Sequence, residues 1–247
     1  MAAMVDACGV VRLDTFPSIP AMGTAAPCLP RWPVVTFAVL ALWLFPLVGH
    51  HDSTEARILM GRIVVTEYIS VDGVIEAPSG TETFKRAGWI DDIPRGAEGD
   101  QFKADETLAA DAQLLGRTTY EAFAAAWPQY EGELADKFNS MPKYVVSTTL
   151  KNPQWNNTTV IGGNVVDEVA ELKQRFERDI LVHGSARLAQ MLIEHDLVDA
   201  LHLLVYPVIV GAGKRLFDDT SATKRLRLAE TRNFSDGVHL LVYERAA

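Results

Sequence analysis

From residue 60 onward the apolar residues fall into short runs of two kinds. Residues 62–69, 112–115, 143–148 and 158–161 are rich in Val, Ile, Leu and Tyr over four to eight positions, and they predict strands. Ile180, Leu181 and Val182 form a continuous apolar run of the kind found in a central strand with both faces covered. Residues 199–210 predict a longer strand, with Pro207 placing part of it at an edge or a bulge. Residues 225–234 and 238–245 predict a hairpin around Ser235-Asp236-Gly237. Helical spacing appears over 98–111, after Thr118, over 165–176, and after Ser185, where Leu188, Met191, Leu192 and Ile193 recur. Thr118 with Glu121 three positions later fits a capping box, and Trp127-Pro128 ends that helix. Residues 76–97, with Pro78, Gly80, Gly88, Pro94 and Gly96, predict a long loop carrying Trp89. About eight strands and four or five helices result. Their alternation through the middle and the closing hairpin predict a mixed α/β sheet with helices on both faces.

Residues 1–59 follow another pattern. Pro17, Pro20, Pro27, Pro30 and Pro33 break any long element. The apolar run 34–48 is too short at ~1.5 Å per residue to cross a hydrocarbon core of ~30 Å. Three readings stay open for this region: a disordered extension ahead of a functional start at Met60, a leader that targets a membrane, or a packed segment. The domain expected to carry function is 60–247.

Composition narrows the classes. The chain has 247 residues, 48% hydrophobic and 22% charged, the balance of an ordinary globular protein. Its formal net charge of -9 argues against nucleic acid as the main partner, because that needs clustered Lys and Arg. A nucleotide cofactor needs only a few local donors. Both cysteines, Cys8 and Cys28, precede Met60, so a disulfide framework or a thiolate metal site is not expected in the domain. No metal site is assigned.

Three strand-end junctions carry the candidate chemistry. They are Gly116-Arg117-Thr118, Ser147-Thr148 and Gly184-Ser185-Ala186-Arg187. In an open α/β sheet ligands collect at the carboxyl ends of strands, and a helix beginning there offers free N–H groups and a positive dipole end. Arginine adds a fork suited to phosphate, and Ser and Thr add hydroxyls. Together the junctions fit one anionic ligand; separately, Arg117 reads equally as a surface charge and Thr118 as a cap. Ser185 lies in His-Gly-Ser-Ala-Arg rather than the Gly-x-Ser-x-Gly elbow, which sets a serine hydrolase aside. Asp72, in Ser70-Val71-Asp72-Gly73, reads either as an Asp-Gly turn residue or as a functional strand-end acid.

Five segments in fixed order carry a resemblance: Ser70-Val71-Asp72-Gly73, Leu114-Leu115-Gly116-Arg117-Thr118-Thr119-Tyr120-Glu121, Val145-Val146-Ser147-Thr148, Leu181-Val182-His183-Gly184-Ser185-Ala186-Arg187, and the run from Pro207 through Gly211-Ala212-Gly213 to Phe217. Residues 60–247 resemble the dihydrofolate reductase-like superfamily, and within it the branch of the reductase (RibD C-terminal) domain of bacterial riboflavin biosynthesis. The resemblance implies a three-layer α-β-α sandwich around a mixed, mainly parallel eight-stranded sheet with a C-terminal antiparallel hairpin. It implies NADPH as cofactor, with Gly116, Arg117 and Thr118 at its phosphates, Ser147 and Thr148 near the 2′-phosphate, and Gly184, Ser185, Ala186 and Arg187 around the pyrophosphate. Asp72 would be the acid near substrate. The expected activity is hydride transfer to a small heterocycle or a ribosylaminopyrimidine-like substrate, riboflavin- or pterin-related; the alternative is a nucleotide-binding protein without turnover. The classical Leu-Pro-Trp…Asp pattern of folate reductases is absent, and the acidic 76–100 loop argues against a phosphorylated substrate. Trp89 and Trp127 could stack on a planar substrate or fill the core. A cytoplasmic protein is expected, with membrane contact only through a 34–48 leader. A homodimer is expected too, with residues 201–210 as a candidate interface.

Overall fold

Helices that cover both faces of a parallel sheet leave its central strands no wet side, and successive residues of those strands are therefore apolar. The computed structural model describes residues 60–80 and 83–246; the readings made for 1–59 lie outside the described residues. The strands are β1 (Arg62–Ser70), β2 (Ala112–Gly116), β3 (Lys143–Val146), β4 (Thr158–Ile161), β5 (Asp179–His183), β6 (Ala200–Tyr206), β7 (Leu226–Asn233) and β8 (His239–Arg245). The helices are α1 (Gly96–Ala109), α2 (Arg117–Ala126), α3 (Glu133–Ser140), α4 (Val165–Arg175) and α5 (Ala186–Glu194). The sheet order is β4-β3-β2-β5-β1-β6-β8-β7. Every pair from β4 across to β6 is parallel, and β8 runs antiparallel to both β6 and β7.

The pleat sorts the core into two layers. Ile63 and Val65 of β1, Ile180 and Val182 of β5 and Leu114 of β2 pack with Val169 and Leu172 of α4 and Leu188 and Leu192 of α5. Alternate residues point the other way. Leu115 and Val145 meet Tyr120 of α2 and Phe138 of α3, while Val64, Leu181 and Ala200 meet Ala110 just past α1. The result is the expected three-layer sandwich.

Several details differ from the expectation. The strand expected over 199–210 ends at Tyr206, because Pro207 has no N–H to continue the ladder with β8. β6 also lies between β1 and β8, so both its edges are paired and Leu201, Leu203 and Leu204 are buried. Beyond the strand, Ile209 of the same 201–210 stretch is exposed. α2 is capped by Gly116, not Thr118; Thr118 is exposed, and Glu121 pairs with Arg117 one turn away instead of closing a capping box. α3 occupies a stretch between the end of α2 and β3 for which the sequence reading assigns no element; it is short, eight residues, and buries Ala135 and Phe138. Among the described residues no helix is long and apolar enough to cross a membrane.

One charged residue anchors the β3 corner. Lys143 is fully buried. Its Nζ donates to the carbonyls of Asn139 (3.0 Å), Met141 (2.8 Å) and Asn156 (3.0 Å) and lies 4.3 Å from the centre of the Trp155 ring. One ammonium thereby satisfies the end of α3 and the turn into β4. Lys143→Met should cost roughly 1–3 kcal/mol, because it strands the buried Met141 carbonyl and removes the bonds to those of Asn139 and Asn156. Denaturant unfolding monitored at Trp155 would check it, and an unchanged midpoint would contradict the role.

Candidate functional site

Parallel pairing brings the carboxyl ends of β4, β3, β2 and β5 to one edge of the sheet, side by side. α2 starts directly after β2, α4 shortly after β4, and α5 shortly after β5. The first-turn N–H groups of three helices therefore face the same crevice. A cavity of about 1200 Å³ opens there. It is lined by Gly116, Arg117, Thr118, Ser147, Thr148, Gly184, Ser185, Ala186 and Arg187, which the fold brings together from three separate junctions.

The two principal helix starts are tied by one side chain. Ser185 precedes α5 in left-handed backbone (φ 69°), and its hydroxyl makes no cap to its own helix. Instead Ser185 Oγ accepts from the Gly116 N–H at 2.8 Å and lies 2.8 Å from Thr119 Oγ1. The approach is close: a Cβ on Gly116 would sit 2.7 Å from Ser185 Oγ. Gly184 also has positive φ (56°), and a Cβ there would lie 3.0 Å from Thr119 Oγ1. Glycine is required at both positions for these separate reasons.

The other candidates are more open. The Ser147 hydroxyl accepts from the backbone N–H groups of Thr149 (3.1 Å) and Leu150 (2.9 Å), which closes a turn after β3. Thr148 beside it is exposed, as are Arg117 and Arg187. Arg117 pairs with Glu121 at 3.3 Å.

The β1 side of the cavity holds residues that the sequence reading did not assign. Thr66, Glu67 and Tyr68 line it with Lys103 of α1 and His183 of β5. Lys103 Nζ donates to Thr66 Oγ1 at 2.6 Å and is ion-paired with Glu106. Glu106 Oε1 lies 2.6 Å from His202 Nδ1. Burial alone would raise the Glu106 pKa, but Lys103 and His202 together hold it at about 2. Glu67 is the reverse case. It is 5% exposed, and burial pushes its pKa up to about 8 against the pull of Lys103 and the Gly184 N–H. Glu67 Oε1 and His183 Nδ1 have no hydrogen-bond partner among the described residues. Burial pulls the His183 pKa down to about 3, so the ring is neutral. Opposite lies an aromatic wall: Trp127 stacks on Phe138 at 3.8 Å, and Phe123 and Phe138 each lie 5.7 Å from His183. Trp89 is not part of this wall; its Nε1 donates to the Glu76 carbonyl, and its ring packs edge-on against Tyr206. Glu67 left one trace in the sequence, as the lone carboxyl in the β1 run. Thr119 and Lys103 left none, because their partners are 66 and 37 residues away.

Asp72 does not line the cavity. Its carboxylate accepts from Ser70 Oγ (2.7 Å) and from the N–H groups of Val210 (3.0 Å) and Gly211 (2.9 Å), and it pairs with Arg215 at 3.4 Å. The Ser70 hydrogen bond leads the effects that lower its pKa to about 2. The residue stitches the turn after β1 to the loop after β6. Neighbouring backbone bonds do the same, from Ile75 N–H to the Lys214 carbonyl and from Leu216 N–H to the Gly73 carbonyl.

A mixed sheet of this order, sandwiched by helices, with glycine-bearing helix starts gathered round a crevice at the parallel strand ends, defines the dihydrofolate reductase-like class, a reductase-type fold. Two solved structures share the fold. One is a protein assigned to riboflavin biosynthesis from Shewanella sp. PV-4, with TM-score 0.62 and 20% identity over 75% of this chain and 99% of that one. The other is a pyrimidine reductase-like protein from Corynebacterium diphtheriae, with TM-score 0.51 and 14% identity over 76% of this chain and 92% of that one. In sequence the chain is 32% identical over 187 residues to the uncharacterized protein YyaP of Bacillus subtilis strain 168, covering 74% of this chain and 94% of the relative. The chain belongs to the RibD C-terminal domain family, whose model matches residues 62–240.

Two outcomes are expected from this geometry. Folding raises the Glu67 pKa from 4.5 to about 8, so between those values the native state holds a proton that the unfolded chain has lost. Stability then falls as pH rises through that window. Glu67→Gln, which has no charge to bury, should gain on the wild type as pH rises, by up to about 5 kcal/mol above pH 8. Paired melting curves across pH would show it, and a difference that does not vary with pH would refute it. Asp72→Ala should speed hydrogen exchange at the Val210 and Gly211 amides while leaving β5 amides slow; unchanged exchange there would mean that Asp72 does not hold the loop.

Proposed function

We propose that residues 60–247 form an NADPH-dependent reductase acting on a small heterocyclic, ribosylaminopyrimidine- or pterin-like acceptor. The observation that carries this reading is the convergence of nine residues from three junctions on one cavity. Its size suits a dinucleotide together with a small ring compound. Its charge suits the phosphates. Arg95, Lys103, Arg117, Arg187 and Lys214 line it against two carboxyls, Glu67 and Glu76, in a chain whose net charge is -9.

Gly184, Ser185, Ala186 and Arg187 would hold the pyrophosphate at the start of α5, where two backbone residues with positive φ turn the chain into the helix. Gly116 and Arg117 would hold the facing side at the start of α2. Thr118, Ser147 and Thr148, beside the exposed guanidinium of Arg117, would take the 2′-phosphate end. The cofactor, when bound, supplies hydride. The chain supplies position, a dry aromatic wall at Phe123, Trp127 and Phe138, and polar groups on β1 and β5. Membership of the RibD C-terminal family supports a pyrimidine-type ring as acceptor. The engagement of Asp72 with backbone N–H groups favours a second reading, nucleotide binding without turnover. Oxidation of NADPH against a panel of pterins, aminopyrimidines and quinones separates the two.

Arg117→Ala should weaken NADPH by about tenfold or more and NADH far less, since a charge-assisted contact to the 2′-phosphate is lost. Fluorescence titration of both nucleotides would check it, and equal losses would remove Arg117 from that role.

A further inference from the structure

We propose that the Glu67 carboxyl is the proton donor of this site, acting on an uncharged planar acceptor held against Phe123, Trp127 and Phe138. The inference rests on the reductase reading above.

Glu67 sits on β1, between β5 and β6, so the strand that carries it is paired on both edges. Its side chain is buried yet lines the cavity. Buried carboxyls are normally paired with a cation or fully hydrogen-bonded. The groups facing Glu67 do neither. From the turn after β5 the Gly184 N–H reaches the carboxyl. From α1 comes the charge of Lys103, but that ammonium is already bound to Glu106 and to Thr66 Oγ1. Glu106 is itself ionised and held by His202, so the α1 charges balance without Glu67. The remaining carboxyl oxygen has no partner among the described residues. An acid in this setting is carried as COOH at neutral pH, which places an O–H donor on the cavity wall.

His183 lines the same cavity as Glu67 and borders the aromatic wall. Its Cα is registered opposite Thr66, the residue before Glu67, and its ring lies 5.7 Å from both Phe123 and Phe138. A flat ring against that wall would meet a neutral donor and a neutral imidazole, which suits an uncharged heterocycle. Reduction of a ring C=N adds hydride at carbon, assigned above to the nicotinamide, and a proton at nitrogen. The Glu67 O–H bond breaks, the new N–H bond forms with that proton, and the carboxylate left behind takes a proton from water. Electrons and atoms balance with no further reactant.

The first test needs neither cofactor nor substrate. Infrared spectra of the whole protein should show a carboxylic-acid C=O band at neutral pH that shifts on ¹³C-labelling of glutamate, is missing in Glu67→Gln, and fades as pH rises through about 8. Absence of a labelled acid band at neutral pH in the wild type overturns the proposal, whether or not the variant folds. The second test is kinetic. With an acceptor that oxidises NADPH, Glu67→Gln should lower kcat about a hundredfold or more. It should also abolish the alkaline fall in rate while NADPH still binds; an unchanged kcat or pH profile overturns the donor role. Failure of the wild type to bind NADPH would instead strike the reductase reading, and the infrared result would still report on the Glu67 proton.

Discussion

The Ser185 hydroxyl sits 2.8 Å from both the Gly116 N–H and Thr119 Oγ1, and the starts of α5 and α2 are fixed to each other through it. That contact is possible because β2 and β5 are parallel neighbours, so that their ends emerge side by side. It is close enough to be possible only because residue 116 has no side chain. The N-terminal ends of α2 and α5, and with them Arg117 and Arg187, take their positions from this junction.

The β1 side of the cavity is organised by charge. α1 brings Lys103 and Glu106 down onto β1 and β6, where they neutralise each other with help from Thr66 and His202. With that pair closed, neither Glu67 nor His183 gains a counter-charge, and burial drives both to the uncharged form. An acidic chain thus lines this cavity with five cationic side chains and, at Glu67 and His183, with two groups held uncharged.

Much of this was legible in the chain. β5 was readable because a strand covered on both faces must be apolar at consecutive positions, as Ile180, Leu181 and Val182 are. The hairpin was readable because Ser235-Asp236-Gly237 supplies the positive φ that its turn needs at Asp236 and Gly237. Seven of the nine cavity residues were readable because a glycine between a strand and a helix marks a local event; Ser147 and Thr148 were readable only as hydroxyls at the end of an apolar run. The short α3 was not, since eight residues give barely two turns over which a helical period can repeat. The strand expected to reach residue 210 stops at Tyr206, where Pro207, visible in the sequence, supplies no N–H to the ladder.

By itself, then, the sequence determined the alternation of elements, the turns and the identity of the residues at the three junctions, all of which follow from contacts between near neighbours in the chain. Only the tertiary structure decided that Asp72 is spent on the backbone of residues 210–211, that Ser185 binds α2 rather than capping α5, and that Glu67 faces the cavity without a counter-charge. Each of those outcomes is set by partners distant in sequence, and a side chain's hydrogen bonds and burial do not exist until the sheet has brought those partners together.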